Sequence, residues 1–274
     1  AIPLARQFNG RITLLHVVEP QLLPRELSFM AMESNRRVAA ARAELEALAS
    51  KSVPAPLLKK TVVSAGQPFE EIARIANGLR MDVIVIATQG RTGVKRLLLG
   101  STAEAVVRHS PCPVFTVRVN SGGTAGRFRS ASLAPRINRI LVPVAFSEPA
   151  TNPAPFAATL ARTMRARLAF LHVVRPLPAP MRVDAEKYYS EALTDARQRL
   201  EQIAATVPKG IKTEILLIRH VPVDGITHTA REWRADLILL PTNGRTGLEY
   251  IALGSTAEGV VRHAPCAVLT IGRS

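Results

Sequence analysis

Glycines at a fixed spacing and two hydroxyl side chains are the residues of this sequence best suited to chemistry. Gly90 and Gly93 lie in one loop, and Gly100 is followed directly by Ser101 and Thr102. Glycine lets the backbone approach a ligand closely, and the first N–H groups of a helix attract an anion. This spacing therefore predicts a site for a phosphate group.

The same residues also fit a purely structural role. Ser101 and Glu104 form the S-x-x-E pattern of a capping box, in which both side chains satisfy the first backbone N–H groups of a helix. Ser255 and Glu258 repeat that pattern. A cap and a bound phosphate can coexist if the ligand uses the donors that the cap leaves unused.

These motifs belong to a long internal repeat. Residues 88–116 return as residues 242–270, and 19 of the 29 positions are identical. Each copy has an apolar run, a Gly-rich loop, a helical segment, Pro-Cys and a second apolar run, which predicts strand, loop, helix and strand. The repeat predicts two domains, residues 1–119 and 137–274, joined by a linker of residues 120–136 that is rich in Ser, Gly and Arg.

The repeated motifs carry a family resemblance. Gly-Arg-Thr-Gly, then Gly-Ser-Thr-Ala-Glu, then V-V-R-H-x-P-C resemble the C-terminal signature of the universal stress protein family. The resemblance implies an α/β fold with two doubly wound five-stranded parallel-sheet domains, similar to the adenine nucleotide alpha hydrolases. It also implies a regulator of the stress response that binds ATP, either alone or with Mg²⁺.

Matched to the family pattern, the residues of the first repeat form the better nucleotide site. The glycines, Ser101 and Thr102 are expected around the phosphates, and the end of the second strand near the base. The expected site residues are Val17, Val18, Ala87, Gly90, Gly93, Gly100, Ser101 and Thr102.

The second repeat matches the pattern less well, through Gly244, Gly254 and Ser255. Ala145 stands where the resemblance implies an aspartate, and Pro241 stands where it implies a glycine. Alanine cannot accept the hydrogen bonds of a carboxylate, and proline fixes φ and removes a donor. His220 stands where the first repeat has Gly66, so we also expect its side chain to narrow any ligand cavity of the second repeat. The second site is therefore predicted to be degenerate.

One strand distinguishes the two repeats. The second repeat has an apolar run at residues 137–145, whereas its counterpart in the first repeat would lie before Ala1. A missing central strand would leave unpaired backbone groups, so we expect the polypeptide to start about 20 residues earlier. The last strands, residues 113–119 and 267–272, are expected at sheet edges that meet in an intramolecular pseudo-dimer, and a homodimer also stays open.

Two further patterns concern packing. Val38, Leu45 and Leu48 recur at helical spacing and are expected on the buried face of a helix at residues 30–50. His16 and His172 end the second strand of each repeat, and His109 and His263 end the last helix. Because all four recur in both repeats, we expect structural rather than catalytic roles for them.

Composition narrows the function. The net charge is +15 with a pI near 11.0, but the positive charge is spread along the chain and aromatic residues are only 4%, so no specific nucleic-acid binding is expected.

No apolar run is long enough for a membrane span, and a cytoplasmic location is expected. No nucleophile–base pair, metal-ligand spacing or P-loop occurs, so no enzyme is predicted. The alternative to nucleotide binding is a scaffold that acts through protein partners.

Overall fold

The computed structural model describes residues 1–20, 29–88, 100–117, 137–146, 152–177, 184–241 and 254–272, with side chains from residue 35 onward in the second helix. The helices and strands of the first repeat are α1 Ile2–Gln7, β1 Ile12–Val18, α2 Phe29–Ser52, β2 Leu58–Ala65, α3 Pro68–Gly78, β3 Ile84–Ala87, α4 Ser101–His109 and β4 Val114–Val117. Those of the second repeat are β5 Arg139–Pro143, α5 Ala154–Met164, β6 Arg167–Val174, α6 Ala185–Ala205, β7 Thr213–Arg219, α7 Pro222–Glu232, β8 Leu237–Pro241, α8 Ser255–His263 and β9 Ala267–Ile271.

The chain divides into two compact units whose boundary does not follow the repeat. Unit 1 comprises residues 1–82 and 109–111, and unit 2 comprises residues 83–108 and 112–274. The strands β3 and β4 of the first repeat therefore belong to the same unit as the whole second repeat. The predicted domain boundary at residues 120–136 lies outside the described residues.

Unit 1 contains a parallel pair of strands, β1 and β2. Ala5, Ile12 and Val53 form a small buried cluster beside it. On α2, Leu45 is buried as expected, but Leu48 is 53% exposed and Ala49 is buried instead. The prediction for Leu48 was wrong because the buried stripe continues at the four-residue spacing from Leu45 to Ala49.

Unit 2 is built on a seven-stranded sheet with the order β3-β4-β9-β8-β5-β6-β7. Five of these strands come from the second repeat and are parallel to one another. The strands β5, β6 and β8 read as continuous apolar runs because helices cover both faces of such a sheet. Their most deeply buried side chains are Ile140, Leu141, Leu168, Phe170, Leu171, Leu237, Ile238 and Leu239.

A single antiparallel pair joins the two repeats within unit 2. Strand β4 pairs with β9, and Val114 lies opposite Thr270 while Thr116 lies opposite Val268. The two threonines make equivalent bonds, since the Thr116 hydroxyl donates to the Val268 carbonyl at 3.1 Å and the Thr270 hydroxyl donates to the Val114 carbonyl at 3.3 Å. The predicted meeting of the last strands is confirmed.

The helices α4 and α8 add charges to that junction. Arg108 of α4 forms an ion pair with Glu258 of α8, and Arg262 of α8 forms one with Glu104 of α4. Within each helix the arginine also pairs with the glutamate four residues before it. The four residues, here called the ion-pair quartet, follow the same two-fold pattern as the two threonines. They form the described polar link between the helices of the two repeats.

Strand β5 is the centre of the second repeat. Its neighbours are β6 and β8, and Ile140, Leu141 and Val142 are fully buried. The Asp236 carboxylate accepts hydrogen bonds from the backbone N–H groups of residues 138 and 139 at 2.8 and 3.0 Å, which fixes the start of the strand. Within the described part of the first repeat no strand corresponds to β5, and its four strands are divided between two sheets.

Candidate functional site

A cavity of about 1040 Å³ lies in the second repeat at the carboxyl ends of its parallel strands. Its walls come from the segment after β5, the ends of β6 and β8, one face of α6 and the first turn of α8. This is the edge at which open parallel sheets bind ligands. The cavity therefore gathers residues that lie far apart in the sequence.

The central opening follows from the strand order. The chain runs from β5 through β6 to β7 on one side and then crosses back to β8 and β9 on the other. Pairing of β5 with β8 covers only Ile140 with Leu237 and Leu141 with Ile238. Beyond that point β5 stays paired with β6, and β8 stays paired with β9. The two strands part where the strand order reverses, and the cavity opens there.

The first turn of α8 forms one wall. Gly254 is the N-cap with φ −62° and ψ 147°, and among the described residues no side-chain hydrogen bond caps the helix. The predicted capping box of the second repeat was wrong, because Ser255 is already helical and the Glu258 carboxylate forms ion pairs with Arg108 and Arg262 instead. The first N–H groups of a helix attract an anion when no cap accepts from them, and this turn lines the cavity.

Gly254 has room for a side chain. A Cβ atom built at this position meets no atom of the described residues within 4 Å, and the backbone angles are ones that any residue adopts. The packing of the described residues therefore does not require glycine here, and Gly254 lines the cavity.

The opposite wall is made by the segment after β5. Ala145 is exposed there and offers a methyl group where a carboxylate was expected. Phe146 follows, and its ring lies 4.4 Å from the His172 ring between centroids. The Val144 N–H donates to the Leu171 carbonyl at 2.8 Å, which ties this segment to β6.

His172 projects from the end of β6 into this wall. Its Nδ1 lies 2.8 Å from the Val144 carbonyl oxygen, and the side chain is partly buried. Burial lowers the pKa of His172 below its ordinary value of 6.5, and the nearby Arg199 lowers it further, although the hydrogen bond to Val144 and the charge of Asp195 act in the opposite direction. The imidazole is thus neutral at neutral pH.

Helix α6 contributes charged and aromatic side chains. Asp195 lines the cavity and pairs with Arg199, whose guanidinium lies 5.3 Å from the centre of the Phe146 ring. Tyr188 also lines the cavity. The sequence patterns did not predict Phe146, His172, Tyr188 or Asp195 as site residues. The position of His172 at the end of a parallel strand could have indicated a site, but His16 occupies the same position in the first repeat, which favoured a structural role.

His220 does not crowd the cavity as expected. It is exposed and is not among the described lining residues. In the first repeat a Cβ atom at Gly66 would lie 2.8 Å from the side chain of Glu71, whereas the position of Glu71 is taken by Gly225 in the second repeat. The larger His220 in place of Gly66 is therefore accommodated by the smaller Gly225 in place of Glu71.

The expected site residues of the first repeat lie in both compact units or outside the described residues. Val17 and Val18 end β1 in unit 1, and Ala87 ends β3 in unit 2. Gly100, Ser101 and Thr102 begin α4, also in unit 2.

The two ends of the Gly-rich loop of the first repeat are joined, because the Gly100 N–H donates to the Thr88 carbonyl at 2.9 Å. Gly90, Gly93 and Gly244 lie outside the described residues. The assignment of the first repeat as the nucleotide site stays a prediction.

The described residues contain no group of three or more His, Cys, Asp or Glu side chains that could hold a metal ion. None of the described helices is long and apolar enough to cross a membrane.

Comparison with known proteins supplies the family. A model of the universal stress protein family matches residues 1–118 and again residues 136–272. The chain belongs to the universal stress protein family. The double match confirms the resemblance read from the repeated motifs, and this universal stress protein contains the family's domain twice in tandem.

Individual relatives agree with that assignment. A universal stress protein of Methanocaldococcus jannaschii is 32% identical over 138 residues, which cover 48% of this chain and 81% of the relative. One from Thermus aquaticus is 34% identical over 117 residues, which cover 42% of this chain and 82% of the relative. The crystal structure of a universal stress protein from Archaeoglobus fulgidus covers 97% of this chain and 86% of that chain at a TM-score of 0.67 and 22% identity, which supports the α/β fold.

Proposed function

We propose that this universal stress protein is a stress-response regulator, not an enzyme, and that it binds an adenine nucleotide such as ATP in the cavity of its second repeat. The observation that carries the proposal is the cavity where β5 and β8 part, which is also lined by the first turn of α8 with Gly254 as its N-cap. A crevice at such a reversal of strand order, next to a helix N-terminus, is the usual phosphate and nucleotide position in open parallel sheets.

The size and lining of the cavity support a ligand of this class. A volume of about 1040 Å³ is at the upper end of the range for small-molecule sites, so it accommodates a base, a sugar and phosphates. The phosphates would face the N–H groups of Ser255 and Thr256. The base and sugar would lie toward Phe146 and the end of β6, where apolar and aromatic surface is available.

Two features of the second repeat weaken a standard nucleotide site but do not close it. Ala145 removes a carboxylate acceptor, which leaves space where that group would stand. Pro241 is the last residue of β8, beyond the point where pairing with β5 ends, so its missing N–H is lost at a strand end. The first repeat stays the alternative position for the nucleotide, as the sequence predicts.

Replacement of the equivalent glycines tests the proposal and separates the two repeats. Gly254→Leu places a side chain at the cavity, where its Cβ atom meets no atom of the described residues within 4 Å, and Gly100→Leu is the matched change in the first repeat. We expect calorimetry with ATP, with and without Mg²⁺, to show binding that Gly254→Leu weakens more than about tenfold, equivalent to about 1.4 kcal/mol, whereas Gly100→Leu leaves it unchanged.

Other binding results would favour the first repeat or the scaffold alternative. Weakening by Gly100→Leu alone would transfer the nucleotide to the first repeat. Absence of ATP binding to the wild-type protein, together with absence of adenine nucleotide released on denaturation of the purified protein, would contradict the proposal and favour the scaffold that acts through protein partners. Unchanged circular dichroism of both variants is the control for folding.

A further inference from the structure

His172 is held in one orientation by two independent contacts. Its Nδ1 lies 2.8 Å from the Val144 carbonyl oxygen, and its ring lies 4.4 Å from the Phe146 ring between centroids. A carbonyl oxygen only accepts hydrogen bonds, so Nδ1 carries the proton in this contact. In the neutral ring the other nitrogen, Nε2, then has a lone pair and is a hydrogen-bond acceptor.

This acceptor is next to the position of the missing carboxylate. Val144, which anchors the ring, directly precedes Ala145 in the sequence, and all three residues line the cavity. The described carboxylate of the lining, Asp195, is engaged by the Arg199 guanidinium, with the Arg199 Nε 3.1 Å from each of its two oxygens. The imidazole is therefore an uncharged side-chain acceptor at the strand end of the cavity.

We infer that Nε2 of His172 accepts a hydrogen bond from an O–H or N–H group of the bound ligand and so determines which ligands the second repeat selects. The inference rests on the proposed function, since it names a residue of that same site. It assigns to His172 part of the role that Ala145 cannot perform. A sugar hydroxyl and the exocyclic amine of adenine are the two donors of a nucleotide that fit this role.

The acceptor exists only while the ring is neutral. Protonation converts Nε2 into a donor, which would then face the donor of the ligand. Asp195 and Arg199 are the charged groups that face the ring from α6, and the residues of the segment after β5 that touch it, Val144 and Phe146, are uncharged. Ligand affinity is thus expected to fall at acidic pH, as His172 becomes protonated.

Two substitutions separate the two nitrogens. In His172→Asn the side-chain amide can still donate to the Val144 carbonyl, as Nδ1 does, but it has no group at the position of Nε2. In His172→Gln an amide oxygen can reach the position of Nε2 and does not titrate. His16→Asn is the matched control, because His16 occupies the same strand position in the first repeat and is exposed.

ATP binding to these variants is the test. We expect His172→Asn to weaken binding about tenfold, the effect of one lost hydrogen bond, and His172→Gln and His16→Asn to stay within about threefold of wild type. Wild-type affinity should fall between pH 7 and pH 5, by a larger factor than for His172→Gln. Three analogues identify the ligand group that donates to His172: 2′-deoxy-ATP and 3′-deoxy-ATP each lack one sugar hydroxyl, and inosine triphosphate lacks the exocyclic amine. The analogue that lacks the donating group should bind wild type and His172→Asn with equal affinity.

The outcomes distinguish the two proposals. Equal binding of ATP to wild type and His172→Asn would overturn the role of His172 while nucleotide binding stands. A wild-type protein that binds no ATP would overturn both. Nitrogen chemical shifts of the imidazole give a check that needs no ligand, since a proton on Nε2 at neutral pH, instead of on Nδ1, would also overturn the inference.

Discussion

The two repeats contain nearly the same Gly-rich motif, yet the described strands of the two repeats pair differently. In the second repeat β8, which precedes the motif, pairs with β5, whose central segment is fully buried between two parallel neighbours. In the first repeat β1 and β2 form a separate two-stranded sheet, while β3 and β4 extend the sheet of the second repeat. The comparison teaches that a shared motif does not by itself fix the strand pairing around it, because in the second repeat the crevice lies where β5 and β8 part, beside the first turn of α8.

Equivalent side chains show the same difference in burial. Phe170 on β6 is fully buried, and Leu14 at the same strand position in the first repeat is only partly buried. His172 is partly buried and bonded to the segment after β5, while His16 is exposed. Four predictions can break or sharpen this comparison.

The largest effect is expected at the core of the second sheet. Phe170→Ala should lower the free energy of unfolding by about 3–5 kcal/mol, because it leaves a large cavity among fully buried residues. Leu14→Ala should cost about 1–2 kcal/mol, since that side chain is already partly exposed. Urea unfolding followed by circular dichroism measures both. Equal losses would contradict the difference between the two sheets.

The next effect concerns the anchor of β5. Asp236→Ala removes the acceptor of two backbone N–H groups and should cost about 1–3 kcal/mol. Asp82→Ala is the matched change in the first repeat, where the residue is exposed, and should stay within about 0.5 kcal/mol. The same urea measurement applies. A larger loss for Asp82→Ala would show that the first repeat has an equivalent anchor.

Acid should destabilise the folded state through His172. The pKa of this residue is lowered on folding, so the folded state binds fewer protons than the unfolded state as the pH falls below about 6.5. Its contribution to stability is therefore complete above that pH and is lost as the pH falls toward the lowered pKa. Thermal unfolding between pH 8 and pH 5 should show a smaller pH dependence in His172→Asn than in wild type. Parallel curves would contradict this expectation.

The smallest effect is expected at the ion-pair quartet. Its side chains are partly exposed, so a pair that crosses between the repeats should contribute about 0.2–1 kcal/mol. A double-mutant cycle with Glu104→Gln and Arg262→Gln measures one crossing pair, and Glu258→Gln with Arg108→Gln measures its two-fold equivalent. We expect similar coupling energies that decrease in high salt. Very different values would show that the junction is less symmetric than its contacts.

The sequence by itself determined the elements of this protein and the family. Helical spacing predicted a helix at residues 30–50, where α2 spans Phe29–Ser52, and an apolar run predicted a strand at residues 267–272, where β9 spans Ala267–Ile271. These features are local, because alternation, helical spacing and Gly or Pro positions act within a few residues. The repeat also predicted that β4 and β9 would meet, since each is the edge strand of its own repeat.

Tertiary structure decided which residues line a site. His16 and His172 lie in the same local sequence, Leu-His-Val-Val, yet among the described residues His172 packs against the segment after β5, which accepts its Nδ1 proton, whereas His16 is exposed. Gly225 is likewise explained by its neighbour His220, because a Cβ atom at residue 225 would be in close contact with the His220 side chain. Such contacts join residues far apart in the chain, so their energies depend on neighbours that no local pattern specifies.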